Sequence, residues 1–229
     1  MRPPRHTAWG ALLAATAVIA PAAPASAVTT DLGTLPGGRQ SSATGVNSEG
    51  LTVGWARLSA NATYATRWDP QGAISRLTSP KGSTGSEALA VDDAGVIVGD
   101  ATGSDGQEPV RWNADGTVTR LGAPPGGKGG VAQAVSGNCF IAGLTYDATS
   151  GLRRAARWSP DGSATVLPSL PGDRQAWALG VNSSGVAVGV PQSRPPPAPG
   201  AVEPGRHGAG TARAARRHRR PGQRPQRQR

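Results

Sequence analysis

The chain has 229 residues and a formal net charge of +10, with one cysteine and three histidines. The single cysteine, Cys139, excludes an intramolecular disulfide, so stability has to come from packing. Residues 28–190 contain no histidine, which excludes a histidine-based catalytic triad and the usual zinc sites from this region. The same region carries 12 basic and 13 acidic residues, so the positive charge belongs to the two ends of the chain.

The first 27 residues predict a secretory signal peptide. Arg2 and Arg5 precede an apolar run at residues 8–20, and the small residues Ala25-Ser-Ala27 follow, which is typical of a signal cut after Ala27. The run has 13 residues, too few for the roughly 20 that span a bilayer. We therefore expect a secreted, extracellular protein without a stable transmembrane anchor. The alternatives are an uncleaved anchor and a disordered start.

The next region repeats one phrase, a short apolar segment closing on Gly, at a spacing of 44 to 46 residues. Its four occurrences are Leu51–Gly54, Val96–Gly99, Phe140–Gly143 and Val186–Gly189. Arg-Trp pairs keep the same period at Arg67 and Trp68, Arg111 and Trp112, and Arg157 and Trp158. A fixed period of this length indicates one supersecondary unit repeated in tandem.

Turn residues divide each unit into about four short strands. One set of turns has Asn or Asp first and Gly fourth, at residues 47–50, 92–95 and 182–185, and a second set follows each Trp. Cys139 stands where the other units place Gly, which favours drift of the unit over a reactive thiol. We expect one strand before the first turn, one ending at the repeated Gly, one ending in Arg-Trp, and one ending at Leu77, Leu121 or Leu167.

This pattern predicts an all-β fold. We expect tandem four-stranded antiparallel units of about 45 residues over residues 28–190, with three complete units and a partial fourth. Such units match the blades of a β-propeller, and this number of them forms an incomplete, propeller-like arc. Residues 28–35 are expected to form the last strand of a preceding unit. The open sheet edges of an arc make self-association possible.

The opening of the repeat region resembles the secreted HAF-repeat proteins. Asp31-Leu-Gly-Thr-Leu-Pro-Gly-Gly38 fits the opening phrase of that family, and Ala43-Thr-Gly-Val-Asn47 fits its Asn-bearing hairpin. The His-Ala-Phe triplet of the family is replaced in every unit, for example by Tyr64-Ala-Thr66, so this chain resembles a divergent member. The resemblance implies an extracellular repeat protein without an established reaction.

The Arg-Trp pairs are the candidate site residues. Trp68, Trp112 and Trp158 take equivalent places, so each ring is expected either to pack between neighbouring sheets or to join a ligand-stacking stripe on one face. The preceding arginines, Arg67, Arg111 and Arg157, would line a polar surface in the second case. In the first case each would lie over a ring or pair with a turn carboxylate.

Paired carboxylates are the one common enzymatic route that the composition leaves open. The densest acidic cluster contains Asp92, Asp93, Asp100, Asp105, Glu108 and Asp115. Most of these stand at turn positions that favour Asp for backbone reasons, and no run of alternating oxygen ligands suggests calcium. We therefore predict no catalytic residue, metal or cofactor.

Residues 191–229 predict a disordered basic tail rich in Pro and Arg. Such a tail is typical of binding to nucleic acid or an anionic surface, but its back-translation favours another interpretation. One base out of frame, Val202 is compatible with Trp, 13 residues after Gly189, the interval that separates Gly99 from Trp112. We therefore expect a frameshift that truncates further repeats, and no specific nucleic-acid partner.

The functional prediction is a secreted, non-enzymatic repeat domain that serves as a binding or structural scaffold. Its ligand would be a glycan, a protein or a surface polymer. The alternatives are a carboxylate-dependent propeller glycan hydrolase and an inactive product of an interrupted gene.

Overall fold

The computed structural model describes residues 29–59 and 62–193, and all regular structure in these ranges is antiparallel β-sheet. The predicted signal peptide, residues 1–27, and the tail after residue 193 lie outside the described residues. None of the elements within these two ranges is a helix that could cross a membrane.

Each sheet is a meander in which strands that follow one another in sequence pair with one another. The first sheet contains β1 (Gln40–Val46), β2 (Thr52–Ser59), β3 (Ala62–Trp68) and β4 (Ile74–Arg76). The second contains β5 (Gly85–Val91), β6 (Ile97–Gly103), β7 (Gly106–Trp112) and β8 (Val118–Arg120). The third contains β9 (Gly127–Val135), β10 (Ile141–Asp147), β11 (Arg153–Trp158) and β12 (Ala164–Val166).

The fourth sheet has two strands in the described part of the chain, β13 (Asp173–Val181) and β14 (Ala187–Ser193). The predicted all-β class with tandem four-stranded units is therefore confirmed, and the described residues hold three four-stranded sheets and one two-stranded sheet. The predicted boundary at residue 190 falls inside β14. Pro191 lies opposite Ala176 in this pair, and an outermost strand tolerates proline because its outward side needs no donor.

Two expected strands differ from the structure. The second strand of each unit does not end at the repeated Gly, since β6 continues past Gly99 to Gly103. Its second half is short of β-branched residues, and pairing with both neighbouring strands keeps it extended. Residues 29–35 form no strand, because the segment makes local turn contacts such as the Gly33 N–H to Asp31 bond of 2.9 Å.

The repeated Gly has a steric explanation. A Cβ at Gly99 would lie 1.9 Å from the backbone oxygen of Glu87, on the neighbouring strand. The register of β5 against β6 shifts between Ala88 and Ala90, which marks a bulge at the same place. Equivalent Cβ atoms at Gly54, Gly143 and Gly189 would lie 1.9 to 2.1 Å from a backbone oxygen. Only Gly fits opposite each bulge.

The first turn of each unit is closed by its leading side chain. The Asn47 carboxamide oxygen accepts the N–H of Leu51 at 2.9 Å, and the Asp92 carboxylate accepts the N–H of Val96 at 2.8 Å. In the first turn of every unit the fourth residue adopts a left-handed backbone conformation. Cys139, whose φ is 59°, does so as well. A residue with a Cβ therefore holds a conformation that suits Gly.

Three apolar clusters join neighbouring sheets. Val53 and Ala65 of the first sheet pack with Trp112 of the second, and Val98 of the second packs with Trp158 of the third. The cluster between the third and fourth sheets consists of alanines, namely Ala142, Ala155, Ala176 and Ala178. Burial between sheets, and not within one sheet, therefore provides the core.

Hydrogen bonds also connect the first turns of neighbouring sheets. The Asn47 carboxamide donates to the Asp92 carbonyl oxygen at 3.1 Å, and the Ser48 N–H donates to the Asp93 carboxylate at 2.9 Å. The Asn138 carboxamide donates to the Ser183 carbonyl oxygen at 3.1 Å. Each bond joins residues 45 positions apart, so we call this set the turn ladder. The bonds from Ser48 lower the pKa of the Asp93 carboxyl group.

Candidate functional site

The three predicted tryptophans are buried, and Trp112 and Trp158 lie between neighbouring sheets. Trp68, Trp112 and Trp158 are each 1% exposed. The indole N–H of Trp112 donates to the Thr78 carbonyl oxygen at 2.6 Å, and that of Trp158 donates to the Gly122 carbonyl oxygen at 2.7 Å. The Trp68 indole nitrogen is buried without a hydrogen-bond partner. None of the three rings presents a face to a ligand.

The three predicted arginines do not converge on one site. Arg67 is exposed and donates to the Ser75 hydroxyl at 3.1 Å within its own sheet. Arg157 donates to the Gly185 carbonyl oxygen at 2.9 Å, across to the turn of the next sheet, with its guanidinium 5.6 Å from the centre of the Phe140 ring. Arg111 is half-buried, and its Nε has no hydrogen-bond partner.

The acidic cluster is dispersed in the structure. Asp92 closes its turn, Asp93 belongs to the turn ladder, and Asp115 accepts the N–H and hydroxyl of Thr117. Glu108 pairs with Arg120 on the surface. Within residues 29–59 and 62–193, no group of three or more His, Cys, Asp or Glu side chains could hold a metal ion. Asp100 lines a groove.

This groove, which we call the Asp100 groove, has a volume of about 350 Å³. Strands of the second, third and fourth sheets contribute its side chains. Its lining residues are Glu87, Leu89, Asp100, Gln107, Val131, Gln133, Leu144, Tyr146, Arg153 and Trp177.

A chain of hydrogen bonds crosses the groove from the second sheet to the third. The Gln107 carboxamide donates to the Asp100 carboxylate at 3.2 Å, and the Tyr146 hydroxyl donates to the Gln107 carboxamide oxygen at 2.8 Å. These bonds use both the nitrogen and the oxygen of the Gln107 carboxamide and therefore fix its orientation. Val131 and Leu144, each 6% exposed, supply apolar walls beside these polar groups.

Asp100 is 4% exposed and stands directly opposite Glu87 in the antiparallel pair of β5 and β6. Burial raises the pKa of the Asp100 carboxyl group to about 7, the negative charge of Glu87 adds to the rise, and the hydrogen bond from Gln107 opposes it. Asp100 can therefore gain or lose its proton near neutral pH.

The remaining part of the groove combines a cation with an aromatic ring. The Arg153 guanidinium lies 5.7 Å from the centre of the Trp177 ring. The backbone N–H of Arg153 donates to the Gln175 carboxamide oxygen at 3.2 Å, which ties the third sheet to the fourth. Arg153 is exposed and Trp177 is half-buried, so both remain accessible from solvent.

Sequence reasoning named Asp100 but missed the other polar groove residues. The repeat itself distinguishes Asp100, which follows the repeated Gly of the second unit. The other units have an apolar residue at this position, namely Trp55, Leu144 and Val190. A carboxylate at a position that is otherwise apolar marks a departure from the packing requirement of the unit. Glu87 likewise stands where the fourth unit has Trp177.

Neither the protein-family models nor the curated proteins compared with the chain give a match. The resemblance to HAF-repeat proteins therefore stays a prediction.

Proposed function

We propose that this protein is a secreted, non-enzymatic binding module that holds a hydroxyl-rich glycan in the Asp100 groove. The observation that carries the proposal is the combination of oriented polar groups and aromatic faces in one accessible concave surface. In this proposal the Asp100 groove takes the place of a ligand-stacking stripe of equivalent tryptophans, since those three rings are buried.

The chemistry of the groove suits sugars. Sugar hydroxyls both donate and accept hydrogen bonds, and the groove offers carboxylate acceptors at Glu87 and Asp100 together with a donor at Arg153. Trp177 supplies a half-buried aromatic ring beside these polar groups, and aromatic rings offer the apolar surface that the C–H face of a pyranose requires. Pockets that bind small ligands combine apolar surface with a few placed polar groups in this way.

The test is a screen of soluble and insoluble cell-wall polysaccharides, followed by titration calorimetry with the best oligosaccharide. We expect Trp177→Ala and Arg153→Ala to weaken binding at least about 10-fold. Arg154→Ala is the matched control, because Arg154 neighbours Arg153 on the same strand but pairs with Asp147 at 3.2 Å, outside the groove. Equal losses for both arginine variants, or no binding to any polysaccharide, would reject the proposal.

Glycan hydrolysis is the second candidate, favoured by the Glu87 and Asp100 pair. Cross-strand neighbours have Cβ atoms about 5 Å apart, so Glu87 and Asp100 can bring their carboxyl groups within the separation that glycosidases use, about 5 to 10 Å. A carboxyl group with a pKa of about 7 beside an ionised partner fits the division between general acid and nucleophile. Release of reducing ends that Glu87→Gln and Asp100→Asn both abolish would support hydrolysis, and binding without release would exclude it.

Secretion and the interrupted gene are separate proposals that rest on the sequence pattern. Resequencing the DNA across codons 185–229 tests the second. A one-base correction that restores Arg-Trp at positions 201 and 202 and further 45-residue units would support it, whereas a confirmed frame would make the basic tail a genuine part of the protein.

A further inference from the structure

An apolar cavity of about 330 Å³ lies beside β14, and we call it the fourth-sheet cavity. Its walls include Ala155, Leu167, Leu170, Ala187 and Val190. Leu170 and Val190 are 66% and 38% exposed, which is high for large apolar side chains in a folded sheet. A cavity of this composition favours an apolar group over water.

Tryptophan fills the matching space in the second and third sheets. Trp112 belongs to one buried cluster with Leu77, and Trp158 packs in another that Leu121 joins. Leu167 takes the place of these two leucines in the repeat and lines the fourth-sheet cavity. The wall of the fourth-sheet cavity is therefore equivalent to the surfaces against which Trp112 and Trp158 pack in the second and third sheets.

The same comparison identifies an acceptor for the indole N–H. Trp112 and Trp158 donate to the carbonyl oxygens of Thr78 and Gly122, each of which follows the cluster leucine in sequence. Pro168 follows Leu167 in the same way and also lines the cavity. A proline keeps its carbonyl oxygen as an acceptor, so the polar requirement of an incoming indole can be met there.

The backbone beside the cavity is open to a third strand. Among the described residues β14 pairs only with β13, so no strand of the described part of the chain pairs with its other edge. In the second and third sheets the tryptophan stands opposite the first residue of the second strand, as Trp112 does to Ile97 and Trp158 to Ile141. Ala187 is that residue in the fourth sheet, and it lines the cavity.

We propose that β14 and the fourth-sheet cavity form a binding site for an extended peptide segment that carries a tryptophan. The segment adds an antiparallel strand to the edge of β14, places its indole ring opposite Ala187 and donates the indole N–H towards Pro168. Main-chain pairing with an edge provides affinity in this mode of recognition, and the side-chain cavity provides specificity. The inference is independent of the Asp100 groove.

The test uses a fluorescein-labelled synthetic peptide with the sequence of β3, Ala62–Trp68, and fluorescence anisotropy with the full chain. We expect saturable binding, and a peptide carrying Trp68→Ala should bind at least about 10-fold more weakly. In the protein, Ala187→Lys should weaken binding by a similar factor because it places a charge at the cavity wall. Thr165→Lys is the control, since Thr165 is exposed on the outermost strand of the third sheet.

Amide chemical shifts locate the bound peptide, and the largest changes are expected in residues 187–193. Equal affinity for the Trp68→Ala peptide would overturn the proposal, as would the absence of binding at millimolar peptide. Binding that Ala187→Lys leaves unchanged would also overturn it. So would a stable dimer that Val188→Glu dissociates and the peptide does not, because a second copy would then cover this face of the fourth sheet.

Discussion

Asp100→Asn is expected to stabilise the protein at neutral and alkaline pH. The ionised carboxylate is buried beside Glu87, and these surroundings raise its pKa from 3.8 to about 7. At about 1.4 kcal/mol per pKa unit, the cost of holding the charge in the folded state reaches at most about 4 kcal/mol. Asn has nearly the same shape, carries no charge, and keeps an oxygen that accepts the Gln107 hydrogen bond.

The sign follows from proton binding in the two states. Between pH 4 and pH 7 the folded protein keeps the Asp100 proton while the unfolded chain has lost it, so the free energy of unfolding falls as pH rises through this window. Above about pH 7 both states are ionised and the loss is complete. The advantage of Asp100→Asn should therefore be greatest at pH 8 and vanish towards pH 4.

Urea unfolding at several pH values between 4 and 8.5 measures the effect. We expect a gain of about 1 to 4 kcal/mol at pH 8, and Asp105→Asn as an exposed control in the same sheet should change stability by less than about 0.5 kcal/mol. Parallel stability curves for the wild type and Asp100→Asn across this range would refute the reasoning, because they would show that Asp100 ionises equally in both states.

Three further predictions test the packing. Gly99→Ala should cost at least about 3 kcal/mol or prevent folding because its Cβ meets a backbone oxygen, whereas Gly122→Ala, with nothing within 4 Å, should cost less than about 1 kcal/mol by urea unfolding. Cys139→Gly should stabilise by about 1 kcal/mol by relieving a left-handed φ, and an unchanged melting temperature would contradict this. Trp158→Phe should cost about 1 to 3 kcal/mol more than Trp68→Phe, since only Trp158 loses an indole hydrogen bond; equal losses would count against that bond.

Turn chemistry made the unit predictable. Asn or Asp at the start of a turn and Gly at its end act over four residues, and the structure closes those turns through the side chains of Asn47 and Asp92. Strand length was less predictable, because β6 is kept extended past Gly99 by neighbours on both sides and not by its own propensity. Local sequence contains little information about such pairing.

Most residues of the candidate site could not be predicted from local sequence patterns. Asp100, Tyr146 and Trp177 belong to three different sheets, and their meeting depends on how the sheets pack. The repeat pattern drew attention to Arg-Trp pairs because they recur, and recurrence marks what every unit needs for packing. Residues that occur in one unit alone, such as Glu87 and Asp100, line the groove for which we propose binding.

The turn ladder has a consequence for how such chains can change in length. Adding one residue to a strand moves everything beyond it by about 3.3 Å, which is enough to separate a donor at Asn47 from its acceptor at Asp92. The hairpin connections at the opposite ends of the strands contribute no bond to the turn ladder: the connection from β6 to β7 spans residues 104–105, and that from β10 to β11 spans residues 148–152. Insertions and deletions inherited by this lineage should therefore accumulate at the hairpin end.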